Sequence, residues 1–124
     1  MKILIVDDED PIREVLIDIL ADANYEAIGA RNGREAVECL RTHPGRFQLV
    51  LLDVMMPALD GWGVLEAMRG DPSLAVVPVV IMTAAENVHQ KALKRGAAGY
   101  LPKPIDLNEL LETVEFYSRD QQVA

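Results

Sequence analysis

Short runs of apolar residues alternate along the chain with segments in which apolar residues recur at helical spacing. Continuous runs such as Ile3–Val6, Leu49–Leu52 and Val79–Met82 are typical of strands buried on both faces of a sheet. The alternation occurs five times with short connections, which predicts an α/β fold: a (βα)5 doubly wound, five-stranded parallel sheet with helices on both faces. We adopt for it the common strand order 2-1-3-4-5, which the pattern does not itself derive.

The predicted helices follow from capping residues and from apolar stripes. The first helix is capped by Asp10 and has Pro11 in its first turn, and its predicted inner face is Ile12, Val15, Leu16, Ile19 and Leu20. Asn32 introduces the second helix, and Gly70–Ser73 breaks the third. A fourth helix is predicted from about Asn87 to Gly96. Asp106 and Glu109 resemble a capping box for the last helix, whose predicted inner face is Leu107, Leu110, Leu111 and Val114.

The composition fits one compact domain. With 124 residues, 50% hydrophobic and 26% charged, the chain is long enough to bury a core without disulfides or a structural metal. We assign residues 1–119 to one domain and 120–124 to a frayed C-terminal tail. The single cysteine, Cys39, cannot form an internal disulfide, and no Cys/His cluster indicates zinc. A cytoplasmic protein without a membrane segment is therefore expected, since the longest apolar stretch, Leu74–Ala85, cannot span a bilayer.

The charge balance argues against anionic partners. Twelve Lys and Arg against 20 Asp and Glu give a net charge of −8, which opposes binding to nucleic acid or to anionic lipid unless a local basic patch exists. The order of residues along the chain shows no such patch. We therefore expect no direct nucleic-acid partner.

Polar residues whose side chains could bind a metal or take part in a reaction lie where the predicted strands end. Asp7 and Asp8 end the first strand, Asp53 the third and Thr83 the fourth, and Lys103 follows the fifth. All five would lie at the carboxyl edge of the sheet, where open α/β sheets bind their ligands. With strands one and three as neighbours, the three carboxylates meet.

Three adjacent carboxylates repel one another unless a cation or a proton balances them. An oxygen-only site open to water suits Mg²⁺, whereas Zn²⁺ would call for histidine or cysteine. The alternative for Asp7 or Asp8 taken singly is a solvated turn residue. The three carboxylates together, each after its own apolar run, favour the metal site.

Thr83 and Lys103 suggest phosphoryl chemistry at the same edge. A hydroxyl and an ammonium can donate hydrogen bonds to the oxygens of a phosphoryl group. Asp53 is the best acceptor, because a carboxylate can act as a phosphoryl nucleophile and this one ends the central strand. Taken singly, Thr83 could be an ordinary strand end and Lys103 a solvated surface residue.

Several motifs together carry a family resemblance over essentially the whole chain. They resemble those of the receiver domain of two-component response regulators, the CheY-like family, and they are Val6-Asp7-Asp8, Leu52–Gly61, Met82-Thr83-Ala84 and Gly96–Pro104. The resemblance implies transfer of a phosphoryl group from the phosphohistidine of a histidine kinase, or a histidine phosphotransfer protein, to Asp53. The domain would catalyse only its own phosphorylation and dephosphorylation, and thereby change its partner-binding surface.

The resemblance also implies individual roles. Asp8 and Asp53 would bind Mg²⁺ directly, Asp7 mainly through water, and the Met55 carbonyl would supply another ligand. Thr83 would hold phosphoryl oxygens together with Lys103, whose bond to Pro104 is expected to be cis. Tyr100 resembles the aromatic switch residue that turns inward when Thr83 moves.

The implied partners are a kinase and a downstream effector that the sequence does not name. Ala97-Ala98-Gly99 lacks the acidic residues with which the winged-helix transcription-factor branch builds a dimer face. A monomer, or a weak phosphorylation-dependent dimer, is therefore expected.

Other functions remain as alternatives. A degenerate scaffold would tolerate loss of Asp53, Thr83 or Lys103, yet all three are present. A small aspartyl-phosphate phosphatase of the haloacid-dehalogenase type would need an Asp-x-Asp motif after the first strand and a substrate cap. A flavin or dinucleotide binder would need a glycine-rich loop where Asp7–Asp10 stands.

Some conspicuous residues are assigned to packing or to the surface. Cys39 is predicted to be a small core residue, and His43 and His89 surface residues. Trp62, near Asp53 in sequence, is explained equally by packing or as a reporter of the site.

Overall fold

The computed structural model describes residues 2–55, 61–85 and 88–123, with side chains described as far as residue 118. The strands are β1 (Lys2–Val6), β2 (Glu26–Ala30), β3 (Leu49–Asp53), β4 (Val79–Thr83) and β5 (Gly99–Pro102). The helices are α1 (Asp10–Asp22), α2 (Gly33–Thr42), α3 (Gly61–Arg69), α4 (Pro72–Ala75), α5 (Val88–Lys94) and α6 (Leu107–Val123).

The strands form one parallel sheet in the order β2-β1-β3-β4-β5, which confirms the adopted order. β3 lies at its centre, and all five of its residues are buried. Its side chains alternate between two apolar clusters: Val50 and Leu52 pack with residues of α2, α3, α4 and α5, whereas Leu49 and Leu51 pack with residues of α1 and α6. Helices thus cover both faces, as the continuous apolar strands require.

The starts of the helices confirm some predictions and correct one. Asn32 caps α2, its side chain accepting a hydrogen bond from the Glu35 amide at 2.8 Å. Asp106 likewise accepts one from the Glu109 amide at 3.0 Å. Asp10, however, is the first residue of α1 rather than its cap. Its carboxylate pairs instead with the guanidinium of Arg13.

Two predicted core residues are exposed. Val15 in α1 is 55% exposed and Leu107 in α6 is 49% exposed. Both line an open groove between their helices rather than packing against the sheet. The remaining members of the two predicted inner faces are buried or partly buried.

Other boundaries differ in detail. The segment that breaks the third helix forms a helical turn of its own, α4, capped by Asp71. α6 continues through Val123, so backbone positions predicted to fray are helical; the division of the chain at residue 119 stays a prediction. Asn87, the predicted start of the fourth helix, lies outside the described residues, as does the loop 56–60. Within the described ranges, no helix has the length and apolarity needed to cross a membrane.

Candidate functional site

Three carboxylates meet at the carboxyl edge of the two central strands. Val6 and Leu52 are register partners in β1 and β3, so the residues that follow them emerge side by side. Asp7 and Asp53 are 0% and 3% exposed, whereas Asp8 is exposed. One carboxylate oxygen from each residue lies within 4.8 Å of the others. The predicted acidic cluster is thus assembled.

Backbone amides orient the two buried carboxylates. Asp7 Oδ1 accepts a hydrogen bond from the Glu9 amide at 2.9 Å, and Asp53 Oδ1 accepts one from the Met55 amide at 2.9 Å. In each case the donor lies two residues further along the chain, as in an Asx-turn. One oxygen of each carboxylate is therefore fixed by its own loop, which leaves the other for a partner from elsewhere.

Lys103 supplies that partner. Its ammonium lies 2.8 Å from Asp7 Oδ2 and 3.2 Å from Asp53 Oδ2. Its backbone amide donates to the Thr83 carbonyl at 2.9 Å, which ties the loop after β5 to the end of β4. The Lys103–Pro104 peptide bond is cis, as the family resemblance implies.

The electrostatics of the cluster follow from burial and from this contact. Burial raises the pKa of the Asp53 carboxyl; the Met55 amide and the Lys103 charge oppose the rise, and the Asp7 charge adds to it. Burial alone would lower the pKa of Lys103, but its hydrogen bond to Asp7 and the charges of both carboxylates raise it. Lys103 therefore stays cationic beside the cluster.

The cluster fits a divalent cation. Three carboxylates and one ammonium leave two formal negative charges in a small volume. The donors are carboxylate oxygens, the ligands that Mg²⁺ prefers in proteins. Asp7, Asp8 and Asp53 can therefore hold such an ion. The side chain of Met55 is 68% exposed, and the role of its carbonyl stays a prediction.

Thr83 and Tyr100 lie on the other side of Asp53 from Asp7. Thr83 is buried at the end of β4, and its Oγ1 accepts a hydrogen bond from the Ala85 amide at 3.1 Å. The Tyr100 hydroxyl is 3.5 Å from the Thr83 carbonyl oxygen and 3.4 Å from that of Ala85, and its ring meets the ring of His89 edge-on at 5.7 Å. Tyr100 thus contacts the segment that carries Thr83.

The sequence interpretation missed Arg13. This arginine is 9% exposed, and its guanidinium donates to the Asp7 carbonyl oxygen at 2.8 Å while pairing with Asp10. It therefore helps to fix the backbone from which Asp7 projects. Its spacing from Leu16 and Leu20 places it on the buried stripe of α1, a signal that the apolar pattern obscured.

The start of α3 presses against the backbone of the site. A Cβ atom at Gly61 would overlap the Asp53 carbonyl oxygen and the Val54 Cα. Only glycine permits this approach, so the glycine of the predicted motif has a steric reason.

An apolar groove of about 550 Å³ adjoins Lys103. It runs between α1, the loop after β5 and the start of α6. Its lining includes Pro11, Ile12, Ala84, Pro104 and Ile105. Pro11, Ile12, Pro104 and Ile105 thus form an apolar rim beside the acidic site, in which Ile12 and Ile105 are partly buried.

Comparison with known proteins agrees with these observations. The family profile of the response regulator receiver domain matches residues 3–115. The chain is 39% identical over 115 residues to the transcriptional regulatory protein PcoR of Escherichia coli, covering 91% of this chain and 49% of that protein. It is 35% identical over 112 residues to the two-component response regulator-like protein PRR73 of Oryza sativa, covering 89% of this chain and 15% of that protein. The chain thus spans less than half the length of these curated relatives.

Solved structures show the same fold. The chemotaxis response regulator CheY4 of Vibrio cholerae superimposes with a TM-score of 0.85 at 32% identity, covering 94% of this chain and 97% of that one. The signal receiver domain of a signal transduction histidine kinase from Syntrophus aciditrophicus gives a TM-score of 0.85 at 34% identity, covering 94% and 88%. The chain belongs to the family of response regulator receiver domains of two-component signalling.

Proposed function

We propose that Asp53 is the phosphoacceptor of this receiver domain and that Mg²⁺ assists the transfer. The observation that carries the proposal is the position of the Asp53 carboxylate. It is almost buried, it lies in a three-carboxylate cluster, and it is 3.2 Å from the Lys103 ammonium. This arrangement offers a nucleophile together with counter-charges for an incoming anion.

The transfer joins an Asp53 carboxylate oxygen to phosphorus. The bond between phosphorus and the imidazole nitrogen of the donor phosphohistidine breaks, and that nitrogen keeps the electron pair and takes up a proton. Mg²⁺, held by Asp8, Asp53 and, mainly through water, by Asp7, would supply positive charge to the phosphoryl oxygens. Hydrolysis of the acyl phosphate by water restores the carboxylate, so the domain catalyses both steps on itself.

Lys103 and Thr83 are the proposed contacts of the transferred group. Lys103 already lies beside Asp53, and it would exchange part of its contact with the carboxylates for a contact with phosphoryl oxygens. The Thr83 hydroxyl now accepts from the Ala85 amide, and its own proton can be donated to a phosphoryl oxygen. Such a contact would draw the segment after β4 toward Asp53, and Tyr100, which contacts that segment, would respond.

The donor would be a histidine kinase or a histidine phosphotransfer protein that docks over the apolar groove. Pro11 and Ile12 on one side and Pro104 and Ile105 on the other line it, and Lys103 lies at its edge. A helix with an apolar face could therefore bring its phosphohistidine to the acidic site. The receiving effector would recognise a surface that changes when Asp53 is phosphorylated.

Phosphotransfer from a panel of purified, radiolabelled histidine kinases tests this function. We expect at least one kinase to label the wild type within minutes and to leave Asp53→Asn unlabelled. Asp18→Asn is the matched control, since Asp18 is exposed on α1, and it should be labelled like the wild type. Equal labelling of Asp53→Asn, or a panel in which no kinase labels the wild type, would favour the scaffold alternative.

A further inference from the structure

The structure gathers basic side chains that are scattered in the sequence. Trp62, Glu66 and Arg69 occupy one face of α3, at spacings of four and three residues. Together with Lys94 and Arg95, at the end of α5, they line a cleft of about 490 Å³, here called the basic cleft. The expectation that the chain has no basic patch is therefore wrong. It failed because the contributing residues come from two segments of the chain.

Two cations lie over the indole in this cleft. Lys91 Nζ is 4.7 Å and the Arg95 guanidinium carbon 5.3 Å from the centroid of the Trp62 ring. Both distances are within the range of a cation–π interaction. The indole therefore helps to hold two positive charges at the surface.

The four basic groups lack acidic partners within the part of the chain that the structure describes. Arg69, Lys91, Lys94 and Arg95 form no ion pair there. Lys94, the last residue of α5, and Arg95, which follows the helix, lie three and four residues beyond Lys91, a spacing at which like charges repel. Among the described residues that line the cleft, Glu66 alone carries a negative charge.

The Arg69 side chain packs directly against Gly96, where a larger residue would collide with it. A Cβ atom at Gly96 would lie 2.7 Å from Arg69 Nε and 2.8 Å from its Cζ, and Gly96 has a φ of +98°. The guanidinium thus rests on the turn that ends α5. Basic residues at the end of α5 also stabilise the helix, because positive charges near a helix C-terminus interact favourably with the helix dipole. That benefit applies to the cations in the last turn of α5, Lys91 among them, but it does not require Lys91 and Arg95 to lie over the Trp62 ring.

We propose that the basic cleft binds an acidic segment of a partner protein. Charge complementarity selects this occupant. Arg69, Lys94 and Arg95 line the cleft and Lys91 lies beside them over Trp62, in a chain whose net charge is −8, and none of the four forms an ion pair with a described residue. A carboxylate of the peptide can approach each cation, and the methylene groups of a glutamate side chain can contact Trp62. A second copy of the chain carries the same net charge of −8 and is repelled. Nucleic acid would need cations along an extended path, whereas these lie in one compact cleft.

Trp62 is the only tryptophan in the chain, so its emission reports directly on the cleft. The probe is a 12-residue peptide with six alternating glutamates and no aromatic residue, and its matched control has glutamine in place of each glutamate. We expect the acidic peptide to change the Trp62 emission saturably, with an effect that weakens as salt is added. The glutamine peptide should leave the emission unchanged.

Charge variants locate the binding. Lys91→Gln combined with Arg95→Gln should weaken binding of the acidic peptide at least about tenfold, because it removes two charge-assisted contacts. Arg34→Gln combined with Arg46→Gln removes the same charge from exposed positions elsewhere and should change the affinity less than about twofold. Glu66→Gln should tighten binding, a gain that damage to the fold would not produce.

Three results would overturn the proposal. The first is an acidic peptide that does not bind, or that loses affinity equally in both double variants. The second is a Trp62 emission that depends on protein concentration together with a dimer in sedimentation, which would identify a second copy as the occupant. The third is a DNA duplex that changes the emission of the wild type but not of the Lys91 and Arg95 double variant.

Discussion

The ammonium of Lys103 lies 3.2 Å from a carboxylate oxygen of Asp53, although fifty residues separate the two in the chain. The same nitrogen lies 2.8 Å from Asp7. Lys103 thus neutralises part of the negative charge of the acidic cluster, which a bound cation would otherwise have to balance alone. A phosphoryl group on Asp53 that accepts a hydrogen bond from Lys103 would rearrange this contact.

Replacing Lys103 by methionine should therefore have two opposite effects. The variant keeps most of the length of the side chain but loses its charge, so Mg²⁺ should bind about three- to tenfold more tightly because a competing cation is gone. Labelling of Asp53 by acetyl phosphate should slow, since the phosphoryl oxygens lose a donor. Titration with Mg²⁺ measures the affinity for the ion, and timed intact-mass measurement gives the rate of labelling.

Lys94→Met is the control for that variant, because it removes an exposed lysine on α5. It should leave both values unchanged. Unaltered Mg²⁺ affinity in Lys103→Met would contradict the competition inferred from the 2.8 Å and 3.2 Å contacts.

Thr83→Ala should uncouple phosphorylation from the change of surface. Asp53 and the carboxylate cluster remain, so the variant should still accept phosphate at reduced rate. The hydroxyl that would draw the segment after β4 toward the phosphoryl group is lost. Backbone NMR shifts around Tyr100 and α5 should then respond little to beryllofluoride, whereas Thr42→Ala, an exposed position on α2, should respond fully. A full response in Thr83→Ala would place the coupling elsewhere.

The fold and the acidic cluster could be predicted because each depends on a local signal. Apolar runs without polar interruptions mark strands covered on both faces, and in a parallel sheet their ends share one edge. Asp7 and Asp53 were placed together by this geometry, once the strand order was adopted. Lys103 was assigned to the same edge, but its contact with both carboxylates required the tertiary structure.

The exposure of Val15 and the burial of Arg13 could not be predicted, because both depend on how neighbouring elements pack. Val15 has the spacing of a core residue, yet it faces the groove between α1 and α6 because no element of the described part of the chain fills that space. Arg13 is buried, since a carbonyl of the Asp7 loop accepts its hydrogen bond. Helical periodicity distinguishes faces of a helix but does not show which face meets another element.

Ile105→Glu should impair phosphoryl transfer from a histidine kinase but not labelling by acetyl phosphate. A carboxylate in the apolar groove should impair docking of a kinase helix, whereas a small donor needs no groove. Transfer from the kinase should fall at least about tenfold, a loss of roughly 1.4 kcal/mol in transition-state free energy. Labelling by acetyl phosphate should stay within about twofold.

Val76→Glu is the matched control for the groove variant, because Val76 is 78% exposed and lies outside the groove. It should behave as the wild type with both donors. Equal loss with both donors in Ile105→Glu would show damage to the site itself rather than to docking.

The lifetime of the acyl phosphate should depend on Met55 and Ala85. Each lies two residues beyond a site residue, Asp53 and Thr83 respectively, and neither side chain can orient a water molecule by hydrogen bonding. Met55→Asn combined with Ala85→Glu supplies such groups, and one good hydrogen bond to the attacking water lowers the barrier by about 1.4 kcal/mol.

We therefore expect the double variant to hydrolyse its phosphate several-fold faster than the parent, as measured by the decay of the phosphorylated mass after removal of the donor. Met55→Leu combined with Ala85→Val, which adds no polar group, is the control. An equal or longer lifetime in the polar double variant would contradict this account of the two positions.

The most direct test of the central claim is the intact mass of the protein after incubation with acetyl phosphate and Mg²⁺. If Asp53 is the acceptor and the carboxylate cluster needs a divalent cation, the wild type gains one phosphoryl group. Asp53→Asn, and the wild type in EDTA, should gain none. Labelling of Asp53→Asn to the wild-type level, or equal labelling of the wild type in EDTA, would contradict the assignment of the acceptor or of the metal.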